Sequence, residues 1–478
     1  MTTEELLALL PIILTATASI LVMLGIAVRR SEIQTINLTL LGLFAALASL
    51  PFISDVLPQQ VTPLLIMDDF SLFFIGLILG SGVVVTFLFK GYFYGREGQN
   101  EELYLLLTTA LLGAVVLVSS RHFAALFLGL ETLSVSLFAM IAYSTKDGWS
   151  LEAGIKYLIL SAVASAFILF GSALVYADVG SLVFSDMLRV SDATGWSLLV
   201  TIGFSMLIIG FSFKLSLVPF HMWTSDVYQG APAPVTAFVA TVSKGAVLAL
   251  LVRYFLNADV FHNYPVQVIL SLLAGASIIA GNLLALKQTD FKRLLAYSSI
   301  AHMGYLLIPF LASVPLGKEV VIESVTFYMV AYFITTLGAF GMVSLMTGTG
   351  KEMSSIDDYR GLFWKKPLSA TLLTAMLLSL AGIPLTAGFI GKFYVFAAGV
   401  EASLWSLVII VVIGSGIGLF YYLRVVVAML DNSQQIEYQE ESAGAWLALT
   451  GLAILLVVLG VYPSPLSDLI ADLARVFV

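Results

Sequence analysis

The chain has 478 residues, 60% of them hydrophobic and 11% charged, with a mean hydropathy of +1.02 and a net charge of −8. That balance excludes a soluble globular domain and predicts an all-α polytopic membrane protein. Cysteine is absent, so the chain forms no disulfide and supplies no thiolate for an iron–sulfur cluster or a Cys-type zinc site.

The first apolar run begins near Leu6, behind Glu4 and Glu5 rather than a basic segment, and ends at Arg29-Arg30. It reads as a retained first helix and not as a cleaved signal. With about 20 apolar residues needed per crossing, further spans are predicted near 35–54, 70–89, 103–119, 122–143, 153–177, 197–222, 233–256, 265–286, 291–311, 321–347, 367–397, 403–430 and 445–461. With 6–28 these make fourteen, which places both termini on one side.

With the N-terminus outside, the inner connections hold Arg29, Arg30, Lys90, Arg96, Lys146, Lys287, Lys292, Arg293, Lys351, Arg360, Lys365 and Lys366. The outer side holds Arg121, Arg189, Arg253, Lys318 and Arg475, and this excess of inner cations favours N-out. The tail 465–478 carries Leu466, Leu469, Ile470, Leu473 and Phe477 at helical spacing, which predicts an amphipathic segment along the outer surface.

Two spans carry breaks. The seventh ends in Lys214-Leu-Ser-Leu-Val-Pro219-Phe-His221, with proline at membrane depth. The twelfth runs for 31 residues, about 46 Å as a helix, longer than the roughly 30 Å apolar core. Gly382-Ile-Pro384 supplies its break, because proline removes a backbone donor and glycine relaxes the geometry. Interrupted spans at matching positions point to a transporter site. They predict two inverted five-helix repeats, over helices 4–8 and 9–13. The domains are then an N-terminal three-helix segment (1–100), repeats at 101–258 and 259–431, and a last helix with its tail (432–478).

Charges inside such spans are costly, about 2.5–3.5 kcal/mol each on insertion scales, and they usually mark a pathway. Glu131, Lys214, Lys244 and Lys392 stand in four different spans. Lysine releases and regains a proton once desolvated, whereas arginine does not, so this residue choice suits proton relay. Histidine titrates near neutrality, which adds His221, just past Pro219, and His302. Lys156, near the start of the sixth span, fits either relay or simple snorkelling to the interface. Gly414-Ser-Gly416-Ile-Gly418 lies in an apolar span and reads as close helix packing rather than a dinucleotide loop. No metal-spaced histidine pair, nucleotide loop or nucleic-acid patch is present in the sequence.

At these residues the chain resembles a known family. Leu215-Ser-Leu-Val-Pro-Phe-His-Met-Trp-Thr-Ser-Asp-Val-Tyr-Gln-Gly-Ala-Pro-Ala-Pro234 is similar to the hallmark of the proton-translocating, antiporter-like membrane subunits of respiratory complex I. Its second half resembles the subunit N type. Lys292-Arg-Leu-Leu-Ala-Tyr-Ser-Ser-Ile-Ala-His-Met-Gly-Tyr305 and Leu380-Ala-Gly-Ile-Pro-Leu-Thr-Ala-Gly-Phe-Ile-Gly-Lys-Phe-Tyr394 do so too, and the likeness runs essentially end to end. Ser225 departs from the pattern, since many relatives have proline there; the sequence reading places it in a loop after His221.

The resemblance implies a membrane-arm subunit of a bacterial NADH:quinone oxidoreductase. Glu131 then matches the carboxylate of the fifth helix, Lys214 the lysine of the broken seventh, Lys244 the central lysine of the eighth and Lys392 that of the broken twelfth. Lys156 and His221 fall on positions where this subunit type carries lysine and histidine. It further implies a multi-pass protein of the bacterial inner membrane with periplasmic termini and no cofactor of its own. NADH, FMN, iron–sulfur clusters and quinone are expected in partner subunits, and further antiporter-like subunits and lipid are its expected neighbours.

The expected mechanism takes protons from the cytoplasmic side through water to Lys244, then sideways along buried charges to the outer face, with Lys214 and Glu131 as a switchable pair. Nothing in the chain drives uphill transport, so redox chemistry elsewhere must do so. One rival is a subunit of a Mrp-type cation/proton antiporter, which the Tyr-Gln-Gly after Asp226 argues against. The other is a scaffold that retains the charges and transports nothing.

Overall fold

The computed structural model describes residues 2–96, 98–144, 148–187, 196–347, 352–431 and 443–477. Lys146, Arg189 and Lys351, used above for orientation, lie outside the described residues.

The molecule is an all-α polytopic membrane protein. Thirteen helices among the described residues are long and apolar enough to cross a membrane. A fourteenth crossing is made of two shorter pieces, Pro367–Ala381 and Ala387–Glu401. The order of crossings matches the sequence expectation, and the differences lie at helix ends. The first run divides into Thr3–Ala8 and Leu10–Val28, where Pro11 sits in the first turn of the second piece, at a position that needs no backbone donor. The sixth span, Gly148–Val179, is longer at both ends than expected. The tenth continues from Phe291–Leu306 into Ile308–Leu316. Its two pieces join beside Pro309, a helix-start position where proline is tolerated.

Burial orders the bundle. The eighth span, Ala233–Asn257, is buried throughout, and the eleventh, Lys318–Met346, nearly so, whereas the first and fourteenth bury only about a third of their residues. A helix apolar all round belongs in the middle of a bundle, and these two form its axis. The expected amphipathic tail is a helix, Ser464–Val476, which packs against the eleventh span and buries Ile470, Leu473 and Ala474.

The tail also closes over a clamp on the eighth span. Arg253, fully buried, donates to both Asp68 carboxylate oxygens at 2.7 and 2.8 Å and to the Ser71 hydroxyl at 2.9 Å. Phe70 and Phe477 lie against the guanidinium at 5.3 and 5.5 Å. Burial alone pushes the Asp68 carboxyl up, but Arg253 and the Ser71 donors outweigh it and hold the group below the usual carboxylate range. Asp68 is also the N-cap of the third span, Asp69–Phe93, so one carboxylate ends one helix and anchors another.

Both breaks have the same backbone design. At the end of Leu198–Leu215, Ser216 turns left-handed at φ +63°, with Leu217 N–H bonded to Ser212 O and Ser216 N–H to Phe213 O. At the end of Pro367–Ala381, Gly382 does the same at φ +84°, with Ile383 N–H on Leu378 O and Gly382 N–H on Ser379 O. This paired-bond cap satisfies carbonyls that membrane depth would otherwise strand. The serine occupies a conformation that glycine adopts without cost. After the first break the chain forms a nine-residue helix, Met222–Gly230, absent from the sequence reading. Ser225 therefore lies on a helix and not in a loop. It is buried, and its hydroxyl stands 3.3 Å from Arg293 and 3.4 Å from Tyr297.

Candidate functional site

Lys214 sits in the last turn before the first break, 5% exposed. Its ammonium donates to Ser134 of the fifth span at 2.8 Å and to Ser161 of the sixth at 2.7 Å. Glu131, half-buried one turn before Ser134, accepts from Ser165 of the sixth span. Among the described residues no ion pair joins Lys214 to Glu131; serine hydroxyls hold them separately. The sixth and seventh spans come close enough for this because glycines line their contact. A Cβ at Gly210 would stand 2.8 Å from Ala164 O, and one at Gly171 2.6 Å from Gly203 O.

Lys244, 1% exposed, follows a π-helical turn at Val239–Ser243. Such turns insert a residue into the α-helical ladder and recur at functional sites. Its ammonium donates to Ser299 of the tenth span at 2.8 Å and lies 5.4 Å from the Tyr228 ring centre. The Ser299 hydroxyl contacts that of Tyr332 on the eleventh span at 2.6 Å. On the other side, Ser243 faces the Tyr157 hydroxyl of the sixth span.

His302 lies one turn beyond Ser299. Tyr328 OH stands 2.6 Å from its Nδ1 and Tyr422 OH 3.2 Å from its Nε2, so both ring nitrogens meet hydroxyls. Either tautomer is served, because a tyrosine both donates and accepts. A cavity of about 10 Å³, the size of a single water, is lined by His302, Tyr328, Tyr332, Thr335, Ser379 and Gly388. It opens beside the second break, so the break and the histidine share one polar space.

Lys392 follows that break. Its ammonium donates to Ala381 O at 2.9 Å, a carbonyl that the interrupted helix leaves open, and to Ser415 of the thirteenth span at 3.2 Å. It also lies 5.6 Å from the Tyr305 ring centre. Tyr305 OH accepts from Asn282 at 3.1 Å, and Asn282 in turn accepts from Tyr421 OH at 3.1 Å. A Cβ at Gly382 would stand 2.7 Å from the Lys392 stem. One at Gly414 would meet Ile278, Asn282 and Tyr305 within 3.1 Å, so close packing holds there, whereas Gly416 faces open space and Gly418 makes only ordinary contacts.

The structure thus places Glu131 and Lys214 around one set of hydroxyls and Lys244 and His302 around another, with the sixth span facing both, while Lys392 rests on Ser415 and a backbone carbonyl at the second break. Lys156 stands apart. Its side chain is 42% exposed and pairs with Glu152 and Asp226, each at 2.7 Å, and Asp226 also holds Arg293 at 2.9 Å. This network lines a separate cavity of about 40 Å³. His221 lies half-buried in the first break, with Nδ1 unpartnered among the described residues. Pro219 stands in that same break, and Pro384 in the second. No group of three metal-ligating side chains occurs among the described residues.

The sequence reading missed Ser134, Tyr157, Ser161, Ser165, Ser299, Tyr328, Tyr332, Tyr422 and Asn282. For Tyr157, Ser161 and Ser165 a signal was present, a four-residue spacing on one helix face. The others come from separate helices, and only packing reveals them.

Among the described residues, fourteen crossings, two of them broken beside lysines inside the bundle, define a transporter-like polytopic membrane protein. The chain belongs to the family described as NADH:quinone oxidoreductase/Mrp antiporter, TM, which matches residues 120–418. It is 51% identical over 475 residues to the NADH-quinone oxidoreductase subunit N of Methylococcus capsulatus, covering 99% of this chain and 96% of that one. A chain of respiratory complex I from Thermus thermophilus with bound Aureothin is 33% identical, with a TM-score of 0.84, over 96% of this chain and 99% of that one. A chain of the Mrp complex from a Dietzia species shares the fold at 17% identity, with a TM-score of 0.81, over 99% of this chain and 97% of that one.

Proposed function

We propose that the chain is the subunit N of a bacterial NADH-quinone oxidoreductase and moves protons across the inner membrane through Glu131, Lys214, Lys244, His302 and Lys392. The observation that carries this reading is the placement of three lysines and a histidine inside the bundle, each bonded to hydroxyls or a backbone carbonyl. A buried charge that only stabilises is usually matched by an opposite charge, as Arg253 is by Asp68. These lysines instead rest on neutral partners, so their protons are free to leave without breaking an ion pair.

The inverted repeats 101–258 and 259–431 place the two broken spans at equivalent positions, and the shared backbone cap of the breaks supports that division. The N-terminal segment 1–100 and the part from 432 onward flank them. The inner excess of Lys and Arg supports termini on the periplasmic side. The seventh-span residue His221 and the helix-end lysine Lys156 act at the inner approach. NADH, FMN, iron–sulfur clusters and quinone belong to partner subunits, whose redox chemistry drives this chain, and further antiporter-like subunits flank it in the membrane arm.

A Mrp-type antiporter subunit shares the fold, and the identity with subunit N chains over nearly full length favours the oxidoreductase. The test is Lys214→Met and Lys244→Met in the assembled enzyme, in inside-out vesicles supplied with NADH. Assembly near wild type with a strong loss of protons moved per NADH supports the reading. An unchanged ratio in both variants overturns it and leaves the scaffold alternative.

A further inference from the structure

The sixth span carries hydroxyls at i, i+4 and i+8, and each meets a different part of the site. Tyr157 faces Ser243, the residue before Lys244. Ser161 accepts from Lys214 at 2.7 Å. Ser165 donates to Glu131. All three are at least nine-tenths buried. Residues four apart on a helix rise about 6 Å and share a face, so one helix sets the spacing of charges that come from three others.

We infer that Tyr157, Ser161 and Ser165 form a hydroxyl ladder that positions Lys244, Lys214 and Glu131 relative to one another and keeps Lys214 and Glu131 parted. The inference rests on the proposed relay and assigns it a positioning element. A buried ammonium and a half-buried carboxylate need partners. The opposite charge that acts on Lys214 is that of Glu131, so without the serines each is the other's remaining partner. The ladder offers neutral alternatives, so the pair exists in two arrangements of similar energy, parted on the serines or joined. A switch needs such a two-state element. Ser134, beside Glu131 on the fifth span, supplies Lys214 with a second neutral acceptor at 2.8 Å.

Other polar clusters in the molecule differ from this ladder. The Lys292–Glu352 pair is matched in charge, and the network around Lys156 has two cations and two carboxylates. In both, each cation is matched by a carboxylate. The ladder consists of neutral groups on unmatched charges.

The test uses the assembled oxidoreductase in inside-out vesicles, with NADH as donor and a pH-sensitive dye for proton movement. Ser161→Ala with Ser165→Ala is expected to lower protons moved per NADH by about tenfold, the order expected for lost hydrogen bonds to charged groups. Ser161→Thr with Ser165→Thr, which keeps both hydroxyls, is expected to stay within about twofold of wild type. Should the Ser161→Ala chain fail to assemble, Ser165→Ala with its threonine counterpart carries the same comparison, because Ser165 touches Glu131 at a half-buried position. Equal losses in the alanine and threonine variants overturn the ladder, as does full pumping in the alanine variants. The Lys214→Met enzyme, run in parallel, separates the two ideas. Pumping lost there but kept in the serine variants removes the ladder alone, and pumping kept in Lys214→Met removes the relay beneath it.

Discussion

Ser299→Ala isolates the hydrogen bond on which the central lysine rests. The Lys244 ammonium is 1% exposed and donates at 2.8 Å to this hydroxyl, with the Tyr228 ring at 5.4 Å as its other close contact. A hydrogen bond to a charged group contributes about 1.5–3 kcal/mol, and about 1.4 kcal/mol is a factor of ten. Removing it weakens the hold on the Lys244 ammonium by a factor of about ten to a hundred. Tyr332, whose hydroxyl contacts Ser299 at 2.6 Å, can recover part of the contact, which puts the expected loss nearer tenfold. The assay is protons moved per NADH in inside-out vesicles, with assembled enzyme quantified on native gels. Ser299→Thr should stay near wild type, and Ser299→Ala with Tyr332→Phe should fall further than Ser299→Ala alone. If Ser299→Ala keeps more than half of the wild-type ratio in fully assembled enzyme, Lys244 does not depend on this partner and the reasoning is wrong.

Gly388→Ala should disable the second break, because a Cβ there would stand 2.0 Å from Ser379 O; the expected outcome is poor assembly or loss of pumping, seen on native gels and in the dye assay. Arg253→Met should destabilise the chain by about 3–5 kcal/mol by stranding Asp68, whereas Arg253→Met with Asp68→Leu should cost less than the single change; thermal unfolding in detergent compares them. The stabilisation from Asp68 is present above its unfolded pKa of about 3.9 and is lost as pH falls through its lower folded value, so acid sensitivity below about pH 4 should weaken in Asp68→Asn. Lys156→Met should alter stability by less than about 1 kcal/mol and lower pumping less than Lys214→Met does, since its pairs are half exposed.

Much of the site was legible without coordinates because its cost is written in composition. A lysine inside an apolar span has no cheap structural explanation, so Lys214, Lys244 and Lys392 stood out at once, and proline and glycine marked both breaks. What could not be read was what each charge touches. Lys214 rests on serines rather than on Glu131, and Lys156, of the same residue type, is tied into a half-exposed ion network near the helix end. Serine and tyrosine are common in apolar helices and carry no penalty that singles them out. Their significance depends on which neighbour they face.

The order and number of crossings, the location of the interruptions and the presence of titratable groups within the bilayer follow from the chain alone, since hydropathy and backbone chemistry act over a few neighbouring residues. The central position of the eighth and eleventh spans, the helix at Met222–Gly230, the clamp of Arg253 on Asp68 and the hydroxyls that receive each lysine were decided by tertiary structure. Those features join residues up to 185 positions apart. Such contacts form only when whole helices pack, and no local pattern encodes which faces will meet.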